Sequence, residues 1–232
     1  MAENTKYGSL FMVATPIGNL GDITVRALAT LKAVDAIFAE DTRVSSKLLF
    51  HYEIQKPVFH YDEHSHNRAS SRLMEMLRDG KDIALVTDAG TPGIADPGSR
   101  LVEAVVNELP EVLIVPIPGA SAVVSLLSIS GLNTEQFTFM GYPPHKKGRK
   151  TFFEGLREVK TWPVVFYESP HRIEKALSSI VEALGDDRKI IVGRELTKLH
   201  EEIFRGTAKE ALLYFGSTDK QKGEFVIALS GN

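Results

Sequence analysis

The side chains best suited to act on a ligand gather just beyond short apolar runs. Glu40, Asp41 and Arg43 follow the run at 36–39, Asp88 follows 83–86, Glu168, His171 and Arg172 follow 164–167, and Arg194 and Glu195 follow 189–192. Glu40, Asp41, Glu168, His171 and Glu195 are the candidates to accept a proton, and spacing does not choose among them. Arg43, Arg172 and Arg194 carry the planar guanidinium that clamps a phosphate bidentately. Each has a plainer alternative. Glu168 and Glu195 can simply pair with Arg172 and Arg194, and His171 can be a bystander near a helix start.

A second kind of chemistry is written in glycine and proline. Residues 87–98 read TDAGTPGIADPG, with three glycines, two prolines, two aspartates and two threonines and neither helical nor strand periodicity. Glycine admits close backbone approach and proline fixes φ, so this loop is bent but stiff. An ordinary strand-to-helix connection would look similar taken alone. A second sharp loop, PGASA at 118–122, also follows a β-branched run, and two such turns argue for one ligand between them.

Several chemistries are excluded by what is missing. The chain has no cysteine, hence no disulfide, thiolate zinc site or thiol nucleophile. It has no G-x-x-x-x-G-K-[ST] phosphate loop, no G-x-G-x-x-G fingerprint after its first strand and no G-x-S-x-G elbow. An H-x-H pair, His64 and His66, stands beside Asp62 and Glu63, but without a firm third ligand it reads as a polar loop, and no metal is expected. A net charge of −3 means that any nucleic-acid contact must be local. The local candidate is His145, Lys146, Lys147, Arg149 and Lys150, set beside Pro143, Pro144 and Gly148; a solvated loop is the alternative. Residues 1–10 carry no basic-then-apolar leader and no run approaches the roughly 20 apolar residues of a membrane span, so a cytoplasmic location is expected.

The elements that must hold these groups alternate along the 232 residues. Strands are expected at 7–14, 36–39, 56–61, 82–87, 112–117, 137–140, 164–167, 189–192, 202–205 and 224–229. Between them, Asp22 or Thr24 can cap a helix with Val25, Leu28, Leu31 and Val34 on its apolar face, Ser45 can open another, and helices follow at 67–78, 99–109, 123–129 and 151–159. Ser169 reads as an N-cap with Pro170 at the first helical position, ahead of a stripe of Ile173, Leu177, Ile180 and Leu184, and a last helix starts at Thr207. Length and the absence of any linker predict two α/β halves, 1–118 and 119–232, with the boundary falling in 117–135.

Six ordered segments together resemble one family: VATPIGNLGDIT (13–24), AEDTR (39–43), TDAGTPGIADPG (87–98), PGASA (118–122), FYESPHR (166–172) and GRELTK (193–198). They are similar to the ribosomal RNA small subunit methyltransferase I family, a branch of the tetrapyrrole-methylase-like fold. The resemblance implies a two-domain α/β protein, each domain a mixed sheet flanked by helices, with S-adenosylmethionine in a cleft between them. It implies a homodimer that 2′-O-methylates a cytidine in the decoding region of 16S ribosomal RNA, presented free or in the small ribosomal subunit. By similarity Ile17 lies under the cofactor, Ala89, Gly90, Thr91 and Ile94 form its cradle with Asp88 as a neighbouring candidate, and Ser121, Ala122, Glu168 and Leu196 line it further.

The same resemblance leaves RNA contact to Lys146, Lys147, Arg149, Lys150, Arg172 and Arg194. A small helical region that follows the methylase domains in many members is not found in the residues ending at Asn232. Asp41, Arg43, Glu40 and His171 are the expected catalytic set, with loss of Asp41 or Arg43 crippling transfer while sparing cofactor affinity. Two rival readings remain: a tetrapyrrole C-methyltransferase of the same fold, and a non-catalytic RNA-binding module of ribosome assembly.

Overall fold

Short apolar runs become the central strands of a first sheet because neither face of them meets water. β2 (Ala36–Ala39) and β4 (Ile83–Val86) are buried at every position, as a sheet covered on both sides requires. With β1 (Leu10–Val13), β3 (Val58–His60) and β5 (Ile114–Ile117) they form a sheet in the order β3-β2-β4-β1-β5. Every ladder in it is parallel. The mixed sheet expected of each half therefore belongs to the second half alone. The computed structural model describes residues 7–62, 66–216 and 220–231, and for residues 66–68 the backbone only.

Parallel strands need crossovers, and the helices supply them on both faces. α1 (Val25–Ala33) and α2 (Thr42–His51) cover one face, where Leu31 and Leu49 pack on Val13, Ile37 and Val86. α3 (His66–Arg78) and α4 (Ser99–Glu108) cover the other, where Leu73, Leu77, Leu101 and Val105 pack on Leu10, Phe38 and Leu85. β1 runs through α1 toward β2, whereas β4 runs through α4 toward β5. The chain thus leaves these two neighbouring strands in opposite directions, and the crevice beyond their carboxyl ends is the ligand-binding switch point of such sheets.

Two helix details differ from expectation. Val25, assigned to an apolar face, is 85% exposed, whereas Leu31 and Val34 of that face are buried and Ala27 joins them. α2 starts at Thr42, three residues before Ser45, because the Asp41 side chain accepts the Arg43 N–H and caps it.

Contact density divides the chain into two units, Met1–Ser121 and Ala122–Asn232. The second contains β6 (Thr138–Phe139), β7 (Val164–Glu168), β8 (Lys189–Arg194), β9 (Glu202–Thr207) and β10 (Phe225–Leu229). They lie in the order β6-β7-β10-β8-β9; β6 and β7 are parallel and the remaining pairs antiparallel. The unit's helices are α5 (Ala122–Ser128), α6 (Arg149–Gly155), α7 (Ile173–Leu184) and α8 (Ala208–Phe215). Ile173, Leu177, Ile180, Ala211 and Phe215 seal the sheet residues Phe166, Val192 and Ile227. α8 is started by a reciprocal box in which Thr207 and Glu210 satisfy each other's backbone N–H groups. Pro170 opens a 3-10 turn rather than α7 itself, and the Ser169 hydroxyl accepts from Arg172 Nε instead of capping.

Candidate active site

The loops beyond β1 and β4 are locked together by their backbones. Thr15 and Gly90 exchange both hydrogen bonds, at 2.9 and 3.1 Å, and Thr15 Oγ1 donates to the Thr87 carbonyl at 3.1 Å. The 87–98 loop also bonds to itself, Ile94 N–H to Thr91 O and Gly93 N–H to Pro97 O. That is the stiffness its prolines and glycines imply. Gly90 has φ +81°, which favours glycine, and a Cβ there would lie 3.7 Å from Ile17 Cγ2 and 3.9 Å from Ala120 O. Ile17, Gly90 and Ala120, from the loops after β1, β4 and β5, therefore border one small space. The β5 loop gets there by touching β1, since a Cβ on Gly119 would lie 2.9 Å from Ala14 Cβ.

Among the other expected cradle residues, Ala89, Thr91, Ser121 and Ala122 are half-buried and Ile94 is 55% exposed. Ile17, Ala89, Gly90, Thr91, Ile94 and Ala120 carry no charge, present backbone groups at a tight turn and leave a Cβ-sized gap. This suits S-adenosylmethionine, whose adenosyl portion is flat and whose sulfonium a fixed cation would repel. Ala120 was not anticipated from the sequence; its only signal was its place inside PGASA.

Beside that cradle, the ends of β2 and β4 are laced through carboxylates. Asp88 Oδ1 accepts the Asp41 N–H at 3.0 Å, and Glu40 Oε2 accepts the Asp88 N–H at 3.3 Å. Burial pushes the Glu40 carboxyl up, and the charges of Asp88, Asp41 and Asp62 add to the shift. Burial likewise raises Asp88. Asp41 differs. Arg43 Nε and Nη2 grip its carboxylate, the closest contact 2.6 Å, and hold it well below the usual carboxylate range. It is the weakest base of the three.

Several charged residues of the second unit are paired with one another. Glu168, at the end of β7, has a fully buried carboxylate bound by Arg149 Nη2 at 2.7 Å and Arg172 Nε at 2.9 Å, and it accepts the Ser169 N–H. The two arginines also donate to the carbonyls of Pro144 and Pro143, each at 3.4 Å. Arg149 thus leaves the basic surface run in which it was expected: it is a buried strut, with its Nε lacking a partner among the described residues. Lys146, Lys147 and Lys150 stay exposed.

Arg172 pairs with Glu168, as the plainer reading had it, while Arg194 pairs with Glu202 at 3.0 Å and not with Glu195. Although burial pushes Glu195 up, the Glu224 N–H and the Lys198 ammonium outweigh it and hold the group below the ordinary range. His171 is exposed in the turn before α7. Leu196 is buried between Glu195 and Thr197, two residues with positive φ, and Thr197 Oγ1 is buried with no hydrogen-bond partner among the described residues. Sequence gave no sign of that hydroxyl.

The H-x-H expectation cannot be followed: His64 lies outside the described residues, as does the side chain of His66. Among the described residues no group of His, Asp and Glu is arranged to hold a metal ion, and no helix is long and apolar enough to cross a membrane.

A switch-point crevice bordered by glycine loops, followed by a mixed-sheet unit, defines the tetrapyrrole-methylase class of α/β proteins. The crystal structure of diphthine synthase has this fold, with a TM-score of 0.72 at 16% identity over 96% of this chain and 90% of that one. The sequence matches the Tetrapyrrole (Corrin/Porphyrin) Methylases family over residues 9–212. Within that class the similarity is much higher to proteins named ribosomal RNA small subunit methyltransferase I. The one from Synechocystis sp. is 45% identical over 97% of this chain and 79% of its own length, and the one from Thermotoga maritima 44% identical over 97% and 99%. The chain belongs to the ribosomal RNA small subunit methyltransferase I family.

Proposed function

We propose that this protein uses S-adenosylmethionine to methylate the 2′-oxygen of a cytidine ribose in the decoding region of 16S ribosomal RNA, acting as a cytoplasmic homodimer. The observation that carries the reading is similarity over nearly the whole chain to relatives named for methylation of small-subunit ribosomal RNA. The solved tetrapyrrole methylases, at 15–17% identity, share the fold and do not argue for a tetrapyrrole acceptor.

When bound, S-adenosylmethionine supplies an electrophilic methyl carbon on a sulfonium that leaves as a neutral thioether. Ile17, Ala89, Gly90, Thr91, Ile94 and Ser121 would hold it against rigid backbone. Fixing two reactants in line contributes about 7–11 kcal/mol, against the roughly 10²–10⁴-fold of a general base, so positioning dominates. Glu40 accepts the ribose proton. Its raised affinity for a proton suits that task, whereas Asp41 is occupied by Arg43 and fixes the strand end. Glu168 acts through the loop it braces rather than by touching the cofactor. Lys146, Lys147 and Lys150 meet the RNA backbone.

The test is to incubate the purified protein with methyl-labelled donor and small ribosomal subunits, then hydrolyse the RNA in alkali. A 2′-O-methyl group blocks attack on the adjoining phosphodiester, so label in an alkali-resistant dinucleotide is the expected result. Label in alkali-labile mononucleotides would refute ribose chemistry. Label entering a tetrapyrrole and not RNA would return the rival acceptor, and RNA binding without transfer the non-catalytic one.

A further inference from the structure

The second unit contains a basic groove of which the proposed function uses only Lys146 and Lys150. It is a cavity of about 520 Å³ between α6 and α7, with the 145–146 loop at one side and Phe153 and Ala183 among its lining. Its cations come from three places in the sequence: Lys146 from the loop, Lys150 and Arg157 from α6 and the turn after it, and Lys175 from α7. Among the described lining residues only Glu154 and Glu182 oppose them.

The positive charge is not consumed internally. The ammonium groups of Lys146 and Lys175 form no ion pair or hydrogen bond among the described residues. Arg157 donates to the carbonyls of Ala183 and Glu182, at 2.6 and 3.3 Å, so its charge caps the end of α7 without meeting a carboxylate there. Lys150 stands 3.7 Å from Glu154, both largely solvated, an arrangement worth little. On a chain of net charge −3, a concave surface holding this surplus attracts a polyanion. Lysines on flexible stems suit phosphodiester oxygens whose position varies along a strand better than a single rigid carboxylate. A volume within the roughly 300–1,000 Å³ of small-ligand pockets admits a nucleotide-sized segment.

We infer that this groove is a phosphate-backbone subsite for the RNA substrate, with Lys175 and Ser179 of α7 forming its far wall and Lys146 and Lys150 its near wall. The inference rests on the reading of RNA as substrate and adds where the strand runs. Glu168 anchors the near wall indirectly: through Arg149 and Arg172 it holds the carbonyls of Pro144 and Pro143, two and three residues before the loop lysine Lys146.

The experiment measures binding of a fluorescent single-stranded oligonucleotide of small-subunit RNA sequence across a salt series. It compares wild type, Lys175→Glu, the milder Lys175→Gln, Lys146→Glu/Lys175→Glu and, as a charge-matched control outside the groove, Lys160→Glu. Weaker binding is expected for the groove variants and not for the control. The log–log salt slope should fall by about 0.7 for each lost phosphate contact on single-stranded RNA. S-adenosylmethionine affinity should be unchanged, which also verifies folding. A slope equal to wild type in the double variant, or an equal loss in Lys160→Glu, overturns the subsite, including the case in which the groove receives an acidic protein segment. Methyl transfer by the wild type, run in parallel, reads the proposed function separately. Transfer with an unchanged slope sinks only the groove, and lysine-dependent binding without transfer sinks only the chemistry.

Discussion

The ends of β2 and β7 make an instructive pair. Each buried strand is closed by a glutamate, Glu40 just past β2 and Glu168 at the last position of β7, followed within four residues by an arginine, Arg43 or Arg172. At β7 the arginine folds back and, with Arg149, encloses the carboxylate away from water. At β2 the arginine turns to Asp41 and is 88% exposed, leaving Glu40 among other carboxylates with its affinity for a proton raised. One carboxylate is spent holding a loop; the other is left with a charge that its surroundings disfavour. A strand-end acid becomes available for chemistry when its neighbours decline to neutralise it.

The comparison breaks most visibly if Glu40 is not the base. Glu40→Gln keeps the shape and the hydrogen bond to Asp88 N–H but cannot take a proton, so kcat should drop roughly 10²–10⁴-fold while S-adenosylmethionine affinity holds. In the wild type, kcat should rise with pH through a value above the ordinary 4.5 of a glutamate, because the acceptor must be ionised. A variant with normal turnover, or a profile flat across that range, would remove Glu40 from the reaction.

The next effect belongs to the other strand end and should appear in stability. Glu168→Ala leaves two guanidinium groups facing each other without their shared carboxylate, at a cost of about 3–5 kcal/mol. Urea unfolding reads the loss directly, and the same substitution should loosen the 143–149 loop to hydrogen exchange. A loss below about 1 kcal/mol would mean that the arginines find other partners and that Glu168 does not brace the loop.

The difference between the two sites explains what was legible in the sequence. Apolar runs such as 36–39 and 83–86 announce strands because burial on both faces leaves no room for polar residues, and the loop at 87–98 announces itself because its dihedral angles need glycine and proline. Pairing is another matter. Arg149 sits in a run of exposed cations, and nothing local says that it alone turns inward to Glu168, 19 residues away. Arg194 stands beside Glu195 in the chain yet pairs with Glu202, because Glu202 faces it across the β8–β9 ladder while Glu195 lies past the end of β8 at positive φ. Asp41 carries two signals at once, a charge at a strand end and a helix cap, and its cap role accounts for the early start of α2. The groove was half visible: its loop lysines stand together in the sequence, but Lys175 joins them only when α7 packs against α6.

The smallest expected effect sharpens the contrast by linkage. Glu40 has a folded-state pKa above its ordinary value of 4.5, so the folded protein holds this proton more tightly than the unfolded chain. Its favourable contribution is therefore complete below 4.5 and is lost as pH rises through the higher folded value. Glu202 runs the opposite way. Burial alone would raise it, but Lys220, Tyr214 and Arg194 outweigh burial and bring it down to about 2, so its contribution is present above 4.5 and lost as pH falls toward 2. Removing the titrating group should consequently change the pH dependence of stability with opposite signs. Glu40→Gln is expected to gain relative to wild type as pH is raised from 4 toward 7, whereas Glu202→Gln is expected to lose over the same range, both read from urea midpoints with unchanged m-values. Parallel trends in the two variants would mean that Glu40 is neutralised in the folded protein as thoroughly as Glu202, and the strand end of β2 would then have no claim to a proton-accepting role.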